Sequence, residues 1–316
     1  MQKPRPLQLG DFIGILSPSG PVSHERLMEG IRRLQSWGFR TLLGTSVFAA
    51  RGYLAGSDVE RAADFNIIWS NPDVAGVICA RGGYGAMRIL DYIDWEMVKA
   101  RPKFFCGFSD VTALHVAMQQ RANLVTFHGP MVGAFGEGAA YNAAGLQAAL
   151  RRAQPLGAVP WPDLSEDAPL RYTIREGTAE GVLAGGNLSL LCSLMGTPYE
   201  PDFDGKLLLL EEVDEEPYRV DRMLTQLLLA GKLKRVRGII FGDSPTCMFA
   251  PEGKPSFTLL EMLEERLAPL GVPAIYGFPC GHGVYRATIP LGVRARLDAG
   301  ACTLTILEAA LSHLNH

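Results

Sequence analysis

The chain has 316 residues, of which 47% are hydrophobic and 20% charged, and its formal net charge is −3. That length buries two ordinary cores, so one large or two medium domains are expected. No run of Lys or Arg marks a nucleic-acid surface and no acidic tail is present, and no stretch of about 18 uninterrupted apolar residues marks a membrane span.

Taken in chain order, "FIGILSPSG" (12–20) predicts a buried strand ending in turn residues. "SHERLMEGIRRLQSWG" then predicts a helix, with Leu27, Ile31 and Leu34 on one face, Ser23 as N-cap and Gly38 at the stop. A second strand is expected near 40–44. The next helix opens on the capping-box spacing Ser57-x-x-Glu60 and ends before Asn71-Pro72. Three further strands are expected in 74–83, 103–109 and 123–130, separated by helices. Near-continuous apolar strands alternating with helices predict a parallel sheet covered on both faces.

The pattern breaks down in "RRAQPLGAVPWPDLSEDAPLRYTIREG". We therefore expect an N-terminal α/β domain over 1–155, a linker over 156–175, and a C-terminal mixed α/β domain over 176–316. In the latter, "KLLLLEEV" (206–213) and "VRGIIFGDS" (236–244) read as strands. An amphipathic helix follows Pro217, another covers 257–271, and 288–308 reads as a β-hairpin turning at Asp298-Ala299-Gly300.

Six cysteines (Cys79, Cys106, Cys192, Cys247, Cys280 and Cys302) lie far apart, with no Cys-x-x-Cys pair. A reduced protein without a structural metal is expected. The first residues carry Pro4, Pro6 and Asp11 where a signal peptide needs an apolar core, so the expected compartment is the cytoplasm.

"CARGGYGAMRIL" (79–90) contains Gly83-x-Gly85, but Arg88 stands where a dinucleotide fingerprint needs its third glycine. Two readings stand: a tight glycine turn, or a strand-end row of backbone N–H groups that binds an oxyanion. In "KFFCGFSDVTALH" (103–115), Ser109 sits at a strand–turn–helix junction. It reads as a helix N-cap or as a nucleophile on an elbow that lacks the second glycine, since Val111 stands there. In the second case Asp110 N–H and the Gly82-Gly83 turn supply oxyanion donors.

A serine nucleophile needs a base. Of six histidines, His313 and His316 lie in the tail, His24 on a helix start, and His115 inside a helix. His128 ends a strand in "TFHGP", and His282 stands between glycines in "GFPCGHGVYRA"; these two are the rivals, His282 ahead. A carboxylate that orients the imidazole is available in "LLLLEEVDEEPYRVDR", where strand alternation turns one of Glu211 and Glu212 inward. There is no His-Glu-x-x-His, and Cys280-x-His282 is a lone pair of ligands, so no metal motif competes.

Together, "GFSDVTALH", "LLLEEVDEEPYRVDRML" and "GFPCGHGVYRATIPLG" closely resemble the signature segments of the LD-carboxypeptidase family of serine peptidases. "GILSPSG", "ARGGYGAMRIL", "TFHGPM" and "GVLAGGNLSLLCSLMGTPY" also resemble family segments, in the expected order. The resemblance implies an N-terminal domain like the class I glutamine amidotransferases and a smaller C-terminal α/β domain. It implies a Ser109–Glu211–His282 triad, with Asp110, Gly82 and Gly83 backbone groups at the oxyanion. Cytoplasmic release of D-alanine from murein tetrapeptides, without a cofactor, is the implied activity. Arg81 and Arg286 are candidates for the terminal carboxylate of the substrate. Relatives are often homodimers, and the family also includes microcin-immunity peptidases acting on aminoacyl-adenylate analogues. All four tryptophans (37, 69, 95 and 161) precede the expected second domain, which favours murein peptides. Two other readings are a non-catalytic two-domain binder of small ligands and an amidotransferase-like enzyme using Cys106.

Overall fold

The computed structural model describes residues 1–312 apart from 137, 138, 163–167, 252 and 254; His313 and His316 therefore lie outside the described residues. The chain forms two compact units. One comprises Met1–Pro155, Ala287–Gly292 and the segment from Ala309, and the other comprises Leu156–Arg286 and Val293–Glu308.

In the first unit, β1 (Phe12–Leu16), β2 (Arg40–Leu43), β3 (Val74–Cys79), β4 (Phe104–Gly107) and β5 (Thr126–His128) form a parallel array in the order β5-β4-β3-β1-β2. Every residue of β3 and β4 is buried, so the sheet is covered on both faces and no period-two alternation survives. Helix α1 (His24–Ser36) buries Leu27, Gly30, Ile31 and Leu34, an i, i+3, i+4, i+7 stripe. Ser23 is extended as an N-cap must be, but its side chain makes no capping bond. Gly38, at φ +87°, turns the chain toward β2. Helix α2 (Asp58–Ser70) opens on the expected capping box: Ser57 N–H donates to Glu60 Oε2 at 2.7 Å and Glu60 N–H to Ser57 Oγ at 3.2 Å. Shorter helices α3 (Trp95–Ala100) and α4 (Thr112–Ala117) flank β4, and α5 (Ala139–Arg151) follows β5.

The second unit is mixed. β6 (Gly157–Ala158) and β7 (Tyr172–Arg175) fall within the stretch read as a linker and join this unit's sheet. β8 (Thr178–Asn187), β9 (Lys206–Glu211), β10 (Gly238–Gly242) and β11 (Ala274–Phe278) are its parallel centre. Helices α6 (Leu188–Ser193), α7 (Pro217–Leu229) and α8 (Leu259–Leu267) alternate with them. α7 buries Val220, Leu224 and Leu227, and α8 opens on a Thr258–Glu261 capping box.

The segment expected as one hairpin is divided. β12 (Ile289–Leu291) pairs antiparallel with β5 and closes the first sheet, whereas β13 (Arg294–Asp298) and β14 (Thr303–Ile306) form a hairpin on the second. Gly292, at φ +92°, supplies the left-handed turn that redirects the chain between them. The first sheet is therefore parallel except for this edge strand.

Candidate active site

In each unit the chemistry-bearing residues collect at the carboxyl ends of parallel strands, where open α/β sheets bind ligands. In the first unit these are the loop after β1 (17–20), the glycine turn after β3 (80–86) and the Ser109 turn after β4.

Ser109 begins a short 3₁₀ turn with φ +62°, in the left-handed region that a non-glycine residue rarely enters. The residue in the capping position is Phe108, not Ser109. A sharp turn of this kind is what an elbow nucleophile requires, because it lifts the hydroxyl off the strand end. The glycine turn lies directly against it: a Cβ built on Gly82 would stand 3.2 Å from Ser109 Cβ and 3.3 Å from Oγ. Gly82 carbonyl accepts from Gly20 N–H at 3.1 Å, and Gly83 has φ +118° with its Cα packed on Gly20. A side chain at 82 or 83 would fill that space, as a tight glycine turn requires. Asp110 is buried, and burial pushes its carboxyl above the usual range against the opposing bonds from Ser19, Ala86 and Gly85. Arg81 is exposed and donates to Pro21 carbonyl at 2.8 Å.

His115 and His128 also lie in this unit. His115 is buried on α4 with Nε2 2.8 Å from Gly107 carbonyl, and burial pushes its pKa down to about 3. It is a neutral packing residue holding the end of β4. His128 is buried at the end of β5, paired in register with Gly107 and edge-on to Phe108 at 5.8 Å. Burial raises the Cys106 thiol far above its usual range, which removes its nucleophilic form at neutral pH.

In the second unit, Glu211 ends β9 fully buried and its Oε2 lies 2.6 Å from His282 Nδ1. Glu212, just beyond the strand, has a separate set of partners. Its carboxylate accepts from Asn187 Nδ2 (3.1 Å), Ser189 N–H (2.9 Å), Ser189 Oγ (2.7 Å) and Val213 N–H (3.0 Å), so it anchors the start of α6. Burial first, and then the neighbouring Glu211, push the Glu212 carboxyl upward.

The glycines around His282 are not free hinges. His282 N–H donates to Asp243 carbonyl at 3.2 Å, and a Cβ on Gly281 would collide with that same carbonyl. A Cβ on Gly283 would collide with Asp243 Oδ2. The residue after β10 therefore acts as a template for the loop. In the sequence, "GDS" after a strand gives Asp243 no distinguishing mark; burial raises its pKa to about 6. Cys280 is buried and its thiol is raised far above its ordinary value. Arg286 is buried in this unit. Trp161 also belongs here, contrary to the expectation that every tryptophan precedes the second unit. Its indole donates to Cys302 carbonyl at 2.7 Å and packs edge-on to Phe278.

Among the described residues, no group of three or more His, Cys, Asp or Glu is arranged to hold a metal ion, and no helix is long and apolar enough to cross a membrane.

Comparison with known proteins shows the family. Residues 13–129 match the LD-carboxypeptidase N-terminal domain, and residues 180–297 match the LD-carboxypeptidase C-terminal domain. The chain is 37% identical to a Bacillus subtilis protein named "Probable murein peptide carboxypeptidase", over 98% of this chain and 95% of that one. The crystal structure of muramoyltetrapeptide carboxypeptidase from Oxalobacter formigenes is 29% identical with a TM-score of 0.79, over 93% of this chain and 97% of that one. The wild-type apo structure of the microcin C7 self-immunity protein MccF, known from Escherichia coli, is 28% identical with a TM-score of 0.89, over 99% of this chain and 100% of that one. The segment with Ser109 lies in the first matched domain and the Glu211–His282 pair in the second, and the chain belongs to the LD-carboxypeptidase family.

Proposed function

We propose that this protein is a serine LD-carboxypeptidase that releases terminal D-alanine from murein tetrapeptides during cytoplasmic peptidoglycan recycling. The observation that carries the reading is the 2.6 Å contact between His282 Nδ1 and buried Glu211 Oε2. A carboxylate on one ring nitrogen fixes the tautomer that leaves Nε2 as a proton acceptor and stabilises the imidazolium formed later. Family membership and the carboxypeptidase relatives support an exopeptidase.

In this reading His282 takes the Ser109 proton as Oγ attacks the carbonyl of the L-centre. Backbone N–H groups of Asp110 and the Gly82-Gly83 turn stabilise the oxyanion. His282 then protonates the departing D-alanine amine, and water activated by the same imidazole hydrolyses the acyl-enzyme. Arg81 and Arg286 are the candidate partners for the free terminal carboxylate. His128 serves packing beside Phe108, and a homodimer is the proposed assembly.

Likeness to MccF, which has been crystallised with aspartyl sulfamoyl adenosine, supports a second substrate class, an aminoacyl-adenylate analogue. The two are separated by offering the protein a murein tetrapeptide ending in D-alanine and, in parallel, aspartyl sulfamoyl adenosine, with product masses followed. We expect loss of a single alanine from the tetrapeptide and none with Ser109→Ala. An unchanged tetrapeptide, or equal activity in Ser109→Ala, overturns the proposal, and cleavage of the sulfamoyl compound alone establishes the second class.

A further inference from the structure

Asp110 is the residue after the proposed nucleophile, yet its side chain turns into the protein. It is 2% exposed, and its Oδ2 accepts from Ser19 Oγ at 2.5 Å and from Ala86 N–H at 2.7 Å. Ser19 belongs to the loop after β1, and Ala86 closes the glycine turn after β3. One carboxylate oxygen thus ties three strand-end loops together.

A buried arginine grips the first two of those loops by their carbonyls. Arg61 reaches from α2 with a fully buried side chain. Its Nη1 donates to Pro18 carbonyl and, at 2.9 Å, to Gly85 carbonyl, while Nη2 meets Asp58 Oδ1 at 2.5 Å. Negative charge therefore holds the N–H side of the glycine turn and positive charge its carbonyl side. Between these two anchors, Gly82 carbonyl is engaged by Gly20 N–H. Because the peptide group is planar and trans, fixing that carbonyl also fixes the Gly83 N–H on the opposite edge of the same plane.

We propose that Asp110 is a positioning residue, whose carboxylate, balanced by Arg61, locks the 17–20 loop and the 82–86 glycine turn against the Ser109 turn so that the oxyanion donors are preset before substrate arrives. The proposal rests on the reading of Ser109 as nucleophile. Donors held in advance act on the charge that develops in the transition state, whereas ground-state binding of the peptide is little affected. A displacement of about 1 Å at such a site costs on the order of a hundredfold in rate.

Asp110→Asn keeps the shape but offers one carbonyl oxygen where a carboxylate stood, and it puts an NH₂ among backbone donors. We expect kcat to fall about 100-fold with KM changed less than about threefold. The rate at which a fluorophosphonate modifies Ser109 should fall in parallel, because that reaction uses the same oxyanion donors without a peptide substrate. Ser19→Ala, which retains the carboxylate and removes one of its donors, should show the same pattern at about tenfold or less, and it serves if Asp110→Asn does not fold. Wild-type kcat and fluorophosphonate rate in a folded Asp110→Asn, or a fall that only tracks the folded fraction, overturns the proposal; so does an unchanged Ser19→Ala. Failure of the underlying reading looks different: the parent protein would not be modified at Ser109 at all.

Discussion

His282 Nδ1 stands 2.6 Å from Glu211 Oε2, whereas the adjacent Glu212 is bound to Asn187, Ser189 and Val213. Two neighbouring glutamates thus meet two different environments. Glu211→Gln should lower kcat by about 10²- to 10⁴-fold with KM nearly unchanged, because orientation and cation stabilisation are lost. Glu212→Gln should instead lower thermal stability, by about 1–3 kcal/mol, with a much smaller loss of kcat per folded molecule. Steady-state kinetics and thermal melting on both variants distinguish the roles, and exchanged outcomes would reassign the acid.

Gly281 is close-packed on the Asp243 backbone, so it tolerates no side chain, whereas Gly283 faces the Asp243 carboxylate. Gly281→Ala should displace the His282 loop, costing about 1–3 kcal/mol through overpacking and on the order of a hundredfold in kcat. Urea unfolding with kinetics on the same preparation checks this. Wild-type behaviour would show that the loop is loose after all.

Ser109 holds φ +62°, which a Cβ makes costly and glycine does not. Both Ser109→Ala and Ser109→Gly should be inactive, but the glycine variant should be the more stable by about 1 kcal/mol. Denaturant midpoints compare them directly. An alanine variant at least as stable as the glycine one would mean the turn carries no strain.

His115 is buried and neutral, with a pKa pushed from 6.5 down to about 3. Between those values the unfolded chain binds a proton that the folded chain refuses, so stability rises with pH and is lost as pH falls from about 6.5 toward 3. The loss between pH 7 and pH 5 should be on the order of 2 kcal/mol. His115→Gln retains a donor for Gly107 and has no such proton, so its acid limb should be flatter. Unfolding curves at pH 7 and pH 5 test this; identical slopes in parent and variant would refute it.

All six cysteines are buried, and burial raises the thiols of Cys79, Cys106, Cys192, Cys247 and Cys280. Native protein should therefore keep full activity in iodoacetamide at neutral pH and show no alkylation by mass. Inactivation through Cys106 would revive a cysteine nucleophile.

Local order was well marked in the chain. The Ser57–Glu60 capping box, the Leu27–Ile31–Leu34 stripe and the apolar runs of β3, β4, β9 and β10 are carried by neighbours within one turn or one strand, where spacing alone dictates geometry. The hairpin expected over 288–308 failed for the converse reason. Ile289–Leu291 has the same local pattern as a hairpin arm, and only its pairing with β5 assigns it to the first sheet. Similarly, nothing in "GHG" told whether the glycines free the loop or are squeezed by a distant strand end.

The sequence by itself determined the alternation of strands and helices, the glycine turn, the Ser-Asp junction, the glutamate pair and the family. These depend on short-range pattern and residue type. Only the tertiary structure decided that Glu212 anchors the start of α6, that Ser109 sits in a left-handed turn rather than a capping position, that Asp243 templates the histidine loop, and that Asp110 and Arg61 brace the glycine turn from opposite sides. Those relationships join residues tens of positions apart. They are set by sheet order and by the need to satisfy buried charge, and neither is written in local spacing.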